Sequence, residues 1–174
     1  LSGPEVEQRH VEILAGVRAA VSVPVAVKLS PYFSSIGAVA TVLDAAGADG
    51  LVLFNRCLQP DVDTEAIRVV PGVTLSSPVE ARLPRTWIAI LRHRVSGSLA
   101  ATTGVESPED VVAYLLAGAD VVMTASALLR HGPAYVEVLT RGLESWLDRK
   151  GYASVDQMRG LLAVRDGAAA GAAA

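Results

Sequence analysis

Helix-like and strand-like segments alternate along this chain, and that alternation restricts its fold more than any other feature. An apolar stripe at helical spacing covers residues 5–20, and a β-branched run follows at residues 22–28. A second helix is predicted over 34–46, with Ser34 or Ser35 as N-cap, and a second strand over 49–54. Apolar runs that alternate with amphipathic segments are typical of parallel sheets covered by helices. The pattern therefore predicts an α/β protein.

The same alternation continues towards the carboxyl terminus. Residues 56–78 are predicted to be irregular, and a loop of that length is usually functional or mobile. Ser107 followed by Pro108 is a strong helix start, because serine caps the helix and proline suits its first position. The further predicted elements are a helix over 82–94, with Pro84 as an alternative start, a strand over 96–101, a helix over 107–117, a strand over 121–123 and helices over 133–149 and 154–163.

An internal echo supports repeated strand–helix units. Ala46-Gly-Ala-Asp49 and Ala117-Gly-Ala-Asp120 each close a predicted helix and open a predicted strand. Four strands, each followed by a helix, with one leading helix, amount to half of a (β/α)8 TIM barrel; a small doubly wound sheet is the alternative. The 174 residues are too few for a complete barrel of about 250. We expect one partial barrel domain over 1–163 and a disordered Ala/Gly tail over 164–174.

Composition excludes several classes of function. The formal net charge of −3 gives no electrostatic reason to expect nucleic acid. The single cysteine, Cys57, excludes an internal disulfide framework, and the three histidines have no metal-like spacing, so no metal site is predicted. The apolar window 111–129 contains Gly118 and, at its centre, Asp120, so it favours a helix and a buried strand over a membrane span. We expect a cytoplasmic protein without a membrane segment.

Small and hydroxyl residues follow the last two predicted strands. Thr103 and Gly104 follow one strand, and Ala125 and Ser126 follow the next. Backbone N–H groups of such turns face an anion, and small residues allow it to approach closely. In barrels a phosphate site is commonly built after the last two strands. These turns, with Ser76 and Ser77 of the irregular segment, therefore predict a phosphate-bearing ligand.

Three polar residues near strand ends have two interpretations each. Lys28 ends a buried strand, where it would either stabilise an electron-rich ligand or extend into solvent. Asn55 suits a planar heterocycle but is also common in turns. Arg56 would either bind an anion or pair with a carboxylate. Cys57, beside it, is a weak candidate for a reactive thiol.

Taken in order, these segments resemble the carboxyl-terminal half of the dihydroorotate dehydrogenase family, whose members are FMN-dependent α/β-barrel enzymes. The resemblance extends from about residue 24 to residue 162. It is carried by Pro24-Val-Ala-Val-Lys-Leu-Ser-Pro31, Ala46-Gly-Ala-Asp-Gly-Leu-Val-Leu-Phe-Asn55, Leu75-Ser-Ser77, Ala101-Thr-Thr-Gly-Val105, Ala117-Gly-Ala-Asp-Val-Val-Met-Thr-Ala-Ser-Ala-Leu128, Gly132-Pro133 and Lys150-Gly-Tyr152.

The resemblance implies a function and roles for named residues. It implies FMN as cofactor, oxidation of dihydroorotate to orotate in pyrimidine biosynthesis, and a dihydropyrimidine as the small-molecule substrate. Lys28 would contact the flavin ring, and Asn55 would contact the pyrimidine. Ser76 and Ser77 would lie by the flavin, while Thr103-Gly104 and Ala125-Ser126 would hold the FMN phosphate.

The chain also departs from the family pattern. Arg56 stands where typical members have Ser or Thr, and Thr103 and Ala125 replace glycines. The family's catalytic base, a Cys or Ser, belongs to the first half of the barrel, so no catalytic residue is assigned here and we expect no turnover from this chain alone. Two open sheet edges predict self-association, as a homodimer or an aggregate. A flavin oxidoreductase with another substrate, and a non-catalytic phosphate-binding scaffold, are the competing hypotheses.

Overall fold

Four parallel strands form the central sheet of the protein, and its computed structural model describes residues 1–56, 60–72 and 74–165. The sheet has the order β1, β2, β5, β6, which is also the order of these strands along the chain. A separate antiparallel hairpin consists of β3 and β4. The strands are β1 (Ala26–Leu29), β2 (Gly50–Leu53), β3 (Asp61–Asp63), β4 (Arg68–Val70), β5 (Ser98–Ala101) and β6 (Val121–Val122).

Helices precede, separate and follow the strands of the sheet. A 3₁₀ turn, Pro78–Ala81, leads directly into the helix before β5. The α-helices are α1 (Gly3–Ala20), α2 (Ile36–Ala45), α3 (Arg82–Leu91), α4 (Pro108–Ala117), α5 (Ser126–His131), α6 (Tyr135–Lys150) and α7 (Val155–Met158).

The sequential strand order decides between the two predicted architectures. A doubly wound sheet reverses its strand order at a switch point. Here each strand pairs in parallel with the next strand of the sheet, in unbroken order. Since crossover connections between parallel strands are right-handed, such an order places the connecting helices on one face. The prediction of a partial barrel is therefore confirmed, and the doubly wound alternative is wrong.

The two faces of the sheet have opposite character. Leu29, Leu51, Leu53, Leu99 and Ala101 are buried against the helices and form the centre of the core. On the other face, Ala26, Lys28, Ser98 and Val121 are exposed, since no described element covers them. This uncovered face corresponds to the interior of a barrel, and the carboxyl ends of the strands open beside it.

Local signals account for the helix boundaries that the sequence predicted well. The Ser107 hydroxyl accepts a hydrogen bond from the Asp110 N–H, Pro108 opens α4, and Gly118 ends it with φ of +118°. Ser35 caps α2 through the Ala38 N–H. The apolar window 111–129 divides into α4, β6 and the start of α5. Within the described ranges, no helix has both the length and the apolar character needed to cross a bilayer.

Several predicted boundaries were wrong. The first strand begins at Ala26 rather than at residue 22, because Pro24 has no N–H and the pairing with β2 begins only at Ala26. The segment 56–78, predicted to be irregular, contains the β3–β4 hairpin. The helix predicted over 82–94 does begin at Arg82, as a continuation of the 3₁₀ turn and not at the alternative start Pro84, but it ends at Leu91.

The predicted helix over 154–163 is wrong in length. It contains only the short helix α7, and Gly160 follows with φ of +74°. The Val164 N–H donates to the Ala89 carbonyl, while residues 166–174 lie outside the described residues, so the predicted tail stays a prediction.

The repeated Ala-Gly-Ala-Asp joints build the same contact twice at the amino ends of the strands. Asp49 exchanges hydrogen bonds with Val25: its N–H donates to the Val25 carbonyl, and its carboxylate accepts from the Val25 N–H at 2.7 Å. Asp120 makes the same exchange with Leu99, whose N–H lies 2.9 Å from the carboxylate. The echo in the sequence is therefore a structural device that ties each strand to its neighbour.

An arginine completes each of these contacts: Arg18 lies on α1, and Arg92 directly follows α3. Arg18 donates to Asp49 at 2.6 Å, and Arg92 donates to both oxygens of Asp120 at 2.8 and 2.9 Å. A side chain at Gly118 would collide with Arg92, since a Cβ there would lie 2.8 Å from Arg92 Cγ. The glycine of the joint therefore leaves room for the arginine. We call each set of Asp, Arg and strand N–H an aspartate clasp.

Candidate functional site

A cavity of about 240 Å³ lies at the carboxyl ends of the strands. Eight residues received a binding role from the family resemblance, and seven of them line this cavity, although they come from five separate segments of the chain. The exception is Ser77, which does not line this cavity. The lining residues are Lys28, Phe54, Asn55, Arg56, Ser76, Thr102, Thr103, Gly104, Val105, Met123, Thr124, Ala125 and Ser126.

Lys28 places a positive charge at one side of the cavity. It lies on β1 opposite Val52 of β2, on the uncovered face of the sheet, and its side chain is exposed. Within the described part of the chain, no carboxylate lies within ion-pairing distance of its ammonium group. An unpaired cation beside a cavity is available to an anionic or electron-rich ligand.

Ser76 links the two predicted phosphate turns. Its side chain is buried, and its N–H and hydroxyl both donate to the Ser126 hydroxyl at 2.9 Å. The Gly104 N–H donates to the Ser76 hydroxyl at 3.1 Å. The Gly104 N–H was predicted to face a phosphate, but it already donates to an acceptor within the protein. Ser76 therefore aligns the two turns, and a bound phosphate would need donors other than the Gly104 N–H.

Thr103 adopts a backbone conformation that β-branched residues rarely tolerate. Its φ is +84°, in the left-handed region, which costs a residue other than glycine about 1–2 kcal/mol. The buried Tyr114 holds the turn in place, because its hydroxyl donates to the carbonyls of Thr102 and Thr103 at 3.2 and 2.7 Å. Burial raises the pKa of the Tyr114 phenol, so it stays a donor. The strained residue thus lies directly on the cavity wall.

Free backbone donors remain at both turns. No described residue accepts a hydrogen bond from the N–H of Thr103, nor from those of Ala125 and Ser126. All three residues line the cavity. Free N–H groups of this kind suit a phosphate, because each can donate to an anionic oxygen.

A cluster behind the turns was missed by sequence reasoning. Arg130 on α5 donates to the Ser76 carbonyl at 2.8 Å and pairs with Glu106. Glu106 also contacts His131 Nε2 at 2.7 Å, and its backbone carbonyl accepts from the Tyr135 hydroxyl. The hydrogen bond with His131, supported by Arg130, outweighs partial desolvation and holds the pKa of Glu106 below its ordinary value. His131 therefore supports the turn through Glu106, and no motif in the sequence marked Arg130.

Arg56 lines this cavity and also a second one of about 300 Å³. Tyr32, Leu83 and Pro84 line only the second cavity. The Arg56 guanidinium donates to Glu80 at 3.1 and 2.9 Å and to the Thr74 carbonyl. Burial opposes ionisation of Glu80, but the Ser77 N–H and Arg56 outweigh it and hold the pKa of Glu80 below its ordinary value.

Of the two interpretations of Arg56, the pairing with a carboxylate is the one present. Its partner lies in the 3₁₀ turn rather than in the long loop. Ser77, predicted to lie by the ligand, caps that turn, and its N–H donates to Glu80 at 2.7 Å. In the described part of the chain, no group of three or more acidic, histidine or cysteine side chains could hold a metal ion. Cys57 lies outside the described residues.

Comparisons with known proteins agree with this geometry. The family model described as dihydroorotate dehydrogenase matches residues 4–147. Among curated relatives, the catalytic subunit of dihydroorotate dehydrogenase B (NAD(+)) of Shouchella clausii is 31% identical over 86% of this chain and 50% of its own length. Dihydroorotate dehydrogenase A (fumarate) of Limosilactobacillus reuteri is 32% identical over 85% of this chain and 48% of its own.

A solved structure supports the fold. DHODH of Eimeria tenella, crystallised in complex with ferulenol, matches with a TM-score of 0.63 at 21% identity, over 78% of this chain and 37% of its own. At that identity the match shows the fold alone. The chain spans about half the length of the curated relatives it matches.

Proposed function

The chain belongs to the dihydroorotate dehydrogenase family, and from this membership we propose that it supplies the phosphate-holding wall of an FMN site in an oxidoreductase of that type. The observation that carries the proposal is the convergence of Lys28, Asn55 and the two phosphate turns on one cavity. Residues from distant segments meet there, and together they offer donors for a phosphate and polar groups for a planar ring.

The chemistry of the donors fits FMN. The free N–H groups of Thr103, Ala125 and Ser126 would hold the phosphate, and Lys28 would lie beside the ring. The cavity, at about 240 Å³, is smaller than the range of about 300–1,000 Å³ usual for small-molecule sites, which suits one wall of a larger site. When bound, FMN would supply the ability to accept a hydride.

The residues of this chain have distinct proposed tasks. Lys28 keeps positive charge next to the ring, where it favours electron-rich states. Asn55 offers an amide donor and acceptor to a dihydropyrimidine such as dihydroorotate. Ser76 aligns the two turns through its bonds to Ser126 and Gly104. Among the described residues, the cavity lining contains no carboxylate, imidazole or thiol, and we propose that the base for proton removal lies outside this set.

Flavin content tests the proposal. We expect the purified protein to bind FMN, measured by flavin absorbance and by titration of the flavin-free protein, and Asn55→Ala to leave FMN binding unchanged. We expect no dihydroorotate turnover by this chain alone. A colourless protein that does not bind added FMN would overturn the proposal in favour of a non-catalytic phosphate-binding scaffold.

Arg56 favours a second candidate function, with a different substrate. Its guanidinium lies beside Asn55 in the lining of both cavities, but it is paired with Glu80 and so is not free to bind the carboxylate of a substrate such as dihydroorotate. The candidate is a flavin oxidoreductase acting on another dihydropyrimidine. Assays of the flavin-loaded protein, in its longest natural form, with dihydroorotate and with uncharged dihydropyrimidines distinguish the two.

A further inference from the structure

The strain at Thr103 is not offset by any strong hydrogen bond of its own side chain. Its φ of +84° would suit glycine, and threonine is among the residues least tolerant of that region. Its hydroxyl donates only to the Phe54 carbonyl, at 3.4 Å, which is long for a hydrogen bond between oxygens. Strained residues of this kind persist where the surroundings over-determine them and cluster at ligand sites.

The surroundings of Thr103 do over-determine its conformation. The Tyr114 hydroxyl binds the Thr103 carbonyl from below the turn. The next residue, Gly104, is tied to Ser76 and packs so closely that a Cβ would lie 2.6 Å from the Ser77 carbonyl oxygen. These contacts are made by the backbone of Thr103 and by Gly104, so the threonine side chain is not needed to form the turn.

Its weakly bonded hydroxyl lies at the cavity wall among free donors. Thr103 is half-buried and lines both cavities, and its own N–H has no partner among the described residues. A hydroxyl next to an unpaired N–H offers two donors to one anionic oxygen.

We propose that Thr103 is a positioning residue for the ligand phosphate, with its hydroxyl exchanging the long bond to Phe54 for a charge-assisted bond to a phosphate oxygen. The inference rests on the proposed FMN site and goes beyond it, because it assigns phosphate recognition to a side chain as well as to backbone donors. Backbone strain at position 103 is then retained because the hydroxyl is needed there.

The test compares FMN with riboflavin, which lacks the phosphate, in titrations of the flavin-free full chain. Removing the hydroxyl in Thr103→Gly is expected to weaken FMN binding about ten- to a hundredfold, the usual effect of a hydrogen bond to a charged group. Riboflavin binding stays unchanged. Thr103→Ser, which keeps the hydroxyl without the β-branch, retains most of the FMN affinity.

Stability measurements provide the matched control. Ile67 is the other residue apart from glycine with positive φ in the described chain, at +49°, and lies exposed in the turn between β3 and β4. Thr103→Gly and Ile67→Gly should both raise the ligand-free melting temperature by a few degrees. Only Thr103→Gly should weaken FMN binding.

Two results would overturn the inference alone: FMN affinity of Thr103→Gly within twofold of wild type, or equal losses for FMN and riboflavin. A wild-type protein that binds neither flavin overturns the proposed function together with it. The two failures are distinguishable, because only in the first does the wild type still bind FMN.

Discussion

The two ends of the four-stranded sheet both carry polar side chains, but they use them differently. At the amino ends, Asp49 and Asp120 each accept a strand N–H and pair with an arginine. Asp44 likewise accepts from the N–H groups of Ser96 and Gly97 just before β5. At the carboxyl ends, Lys28 has no partner among the described residues.

The difference shows which polar groups stabilise the fold and which remain for a ligand. The carboxylates at the amino ends accept hydrogen bonds from backbone N–H groups and arginines. They therefore contribute to stability and have few free acceptor positions for a ligand. The carboxyl ends present free donors and a strained residue, which cost stability in the absence of a ligand. Substitutions at the two ends should therefore change different measured quantities.

The largest effect is expected from Asp120→Ala. It leaves the Leu99 N–H and the Arg92 guanidinium without their acceptor, in a pair whose side chains are only 28% and 22% exposed. The free energy of unfolding should fall by about 2–3 kcal/mol in urea denaturation. FMN affinity, measured under folded conditions, should not change. A loss below about 0.5 kcal/mol would contradict the role of the clasp.

Lys28→Met tests the opposite end. Since Lys28 is exposed and lacks an ion-pair partner among the described residues, the free energy of unfolding should change by less than about 0.5 kcal/mol. FMN affinity should fall roughly tenfold, because a positive charge beside the ligand is lost. Lys28→Arg, which keeps the charge, is the control. An unchanged affinity in Lys28→Met would remove this residue from the site.

Asp49→Ala compares the two clasps with each other. The Arg18–Asp49 pair has side chains 43% and 40% exposed, so solvent screens it more than its counterpart. We expect a loss of about 1 kcal/mol, less than for Asp120→Ala, in the same denaturation assay. If Asp49→Ala lost as much stability as Asp120→Ala or more, the exposure of the ion pair would not explain how much each clasp contributes to stability.

The smallest effect concerns pH. Burial opposes ionisation of Asp44, but hydrogen bonds from Ser96 and Gly97 outweigh it and hold its pKa below the ordinary value. A lowered folded-state pKa gives stability that is present above the unfolded pKa of about 3.9 and lost as pH falls through the folded value. The stability difference between wild type and Asp44→Asn should therefore be constant near neutrality and shrink below about pH 4. A difference that persists to pH 2 would exclude this explanation.

Local patterns predicted the elements that local physics determines. The Ser107-Pro108 start and the Gly118 end of α4 lie where the sequence put them, because capping involves residues within one turn. The β3–β4 hairpin escaped prediction, since its strands have three residues each and its Val62 and Val69 are exposed. Strands that short leave too few alternating positions to be recognised.

The sequence by itself determined the alternation of strands and helices and the candidate residues at strand ends, because these follow from periodicity and short-range signals. The half-barrel was established over the doubly wound sheet only once the strand order was known. Only the tertiary structure decided which donors are free. Ser76 meets Ser126 across 50 residues of chain and its hydroxyl also accepts from the Gly104 N–H, while the Thr103 N–H has no partner among the described residues. Such assignments depend on contacts between distant segments, which no local pattern encodes.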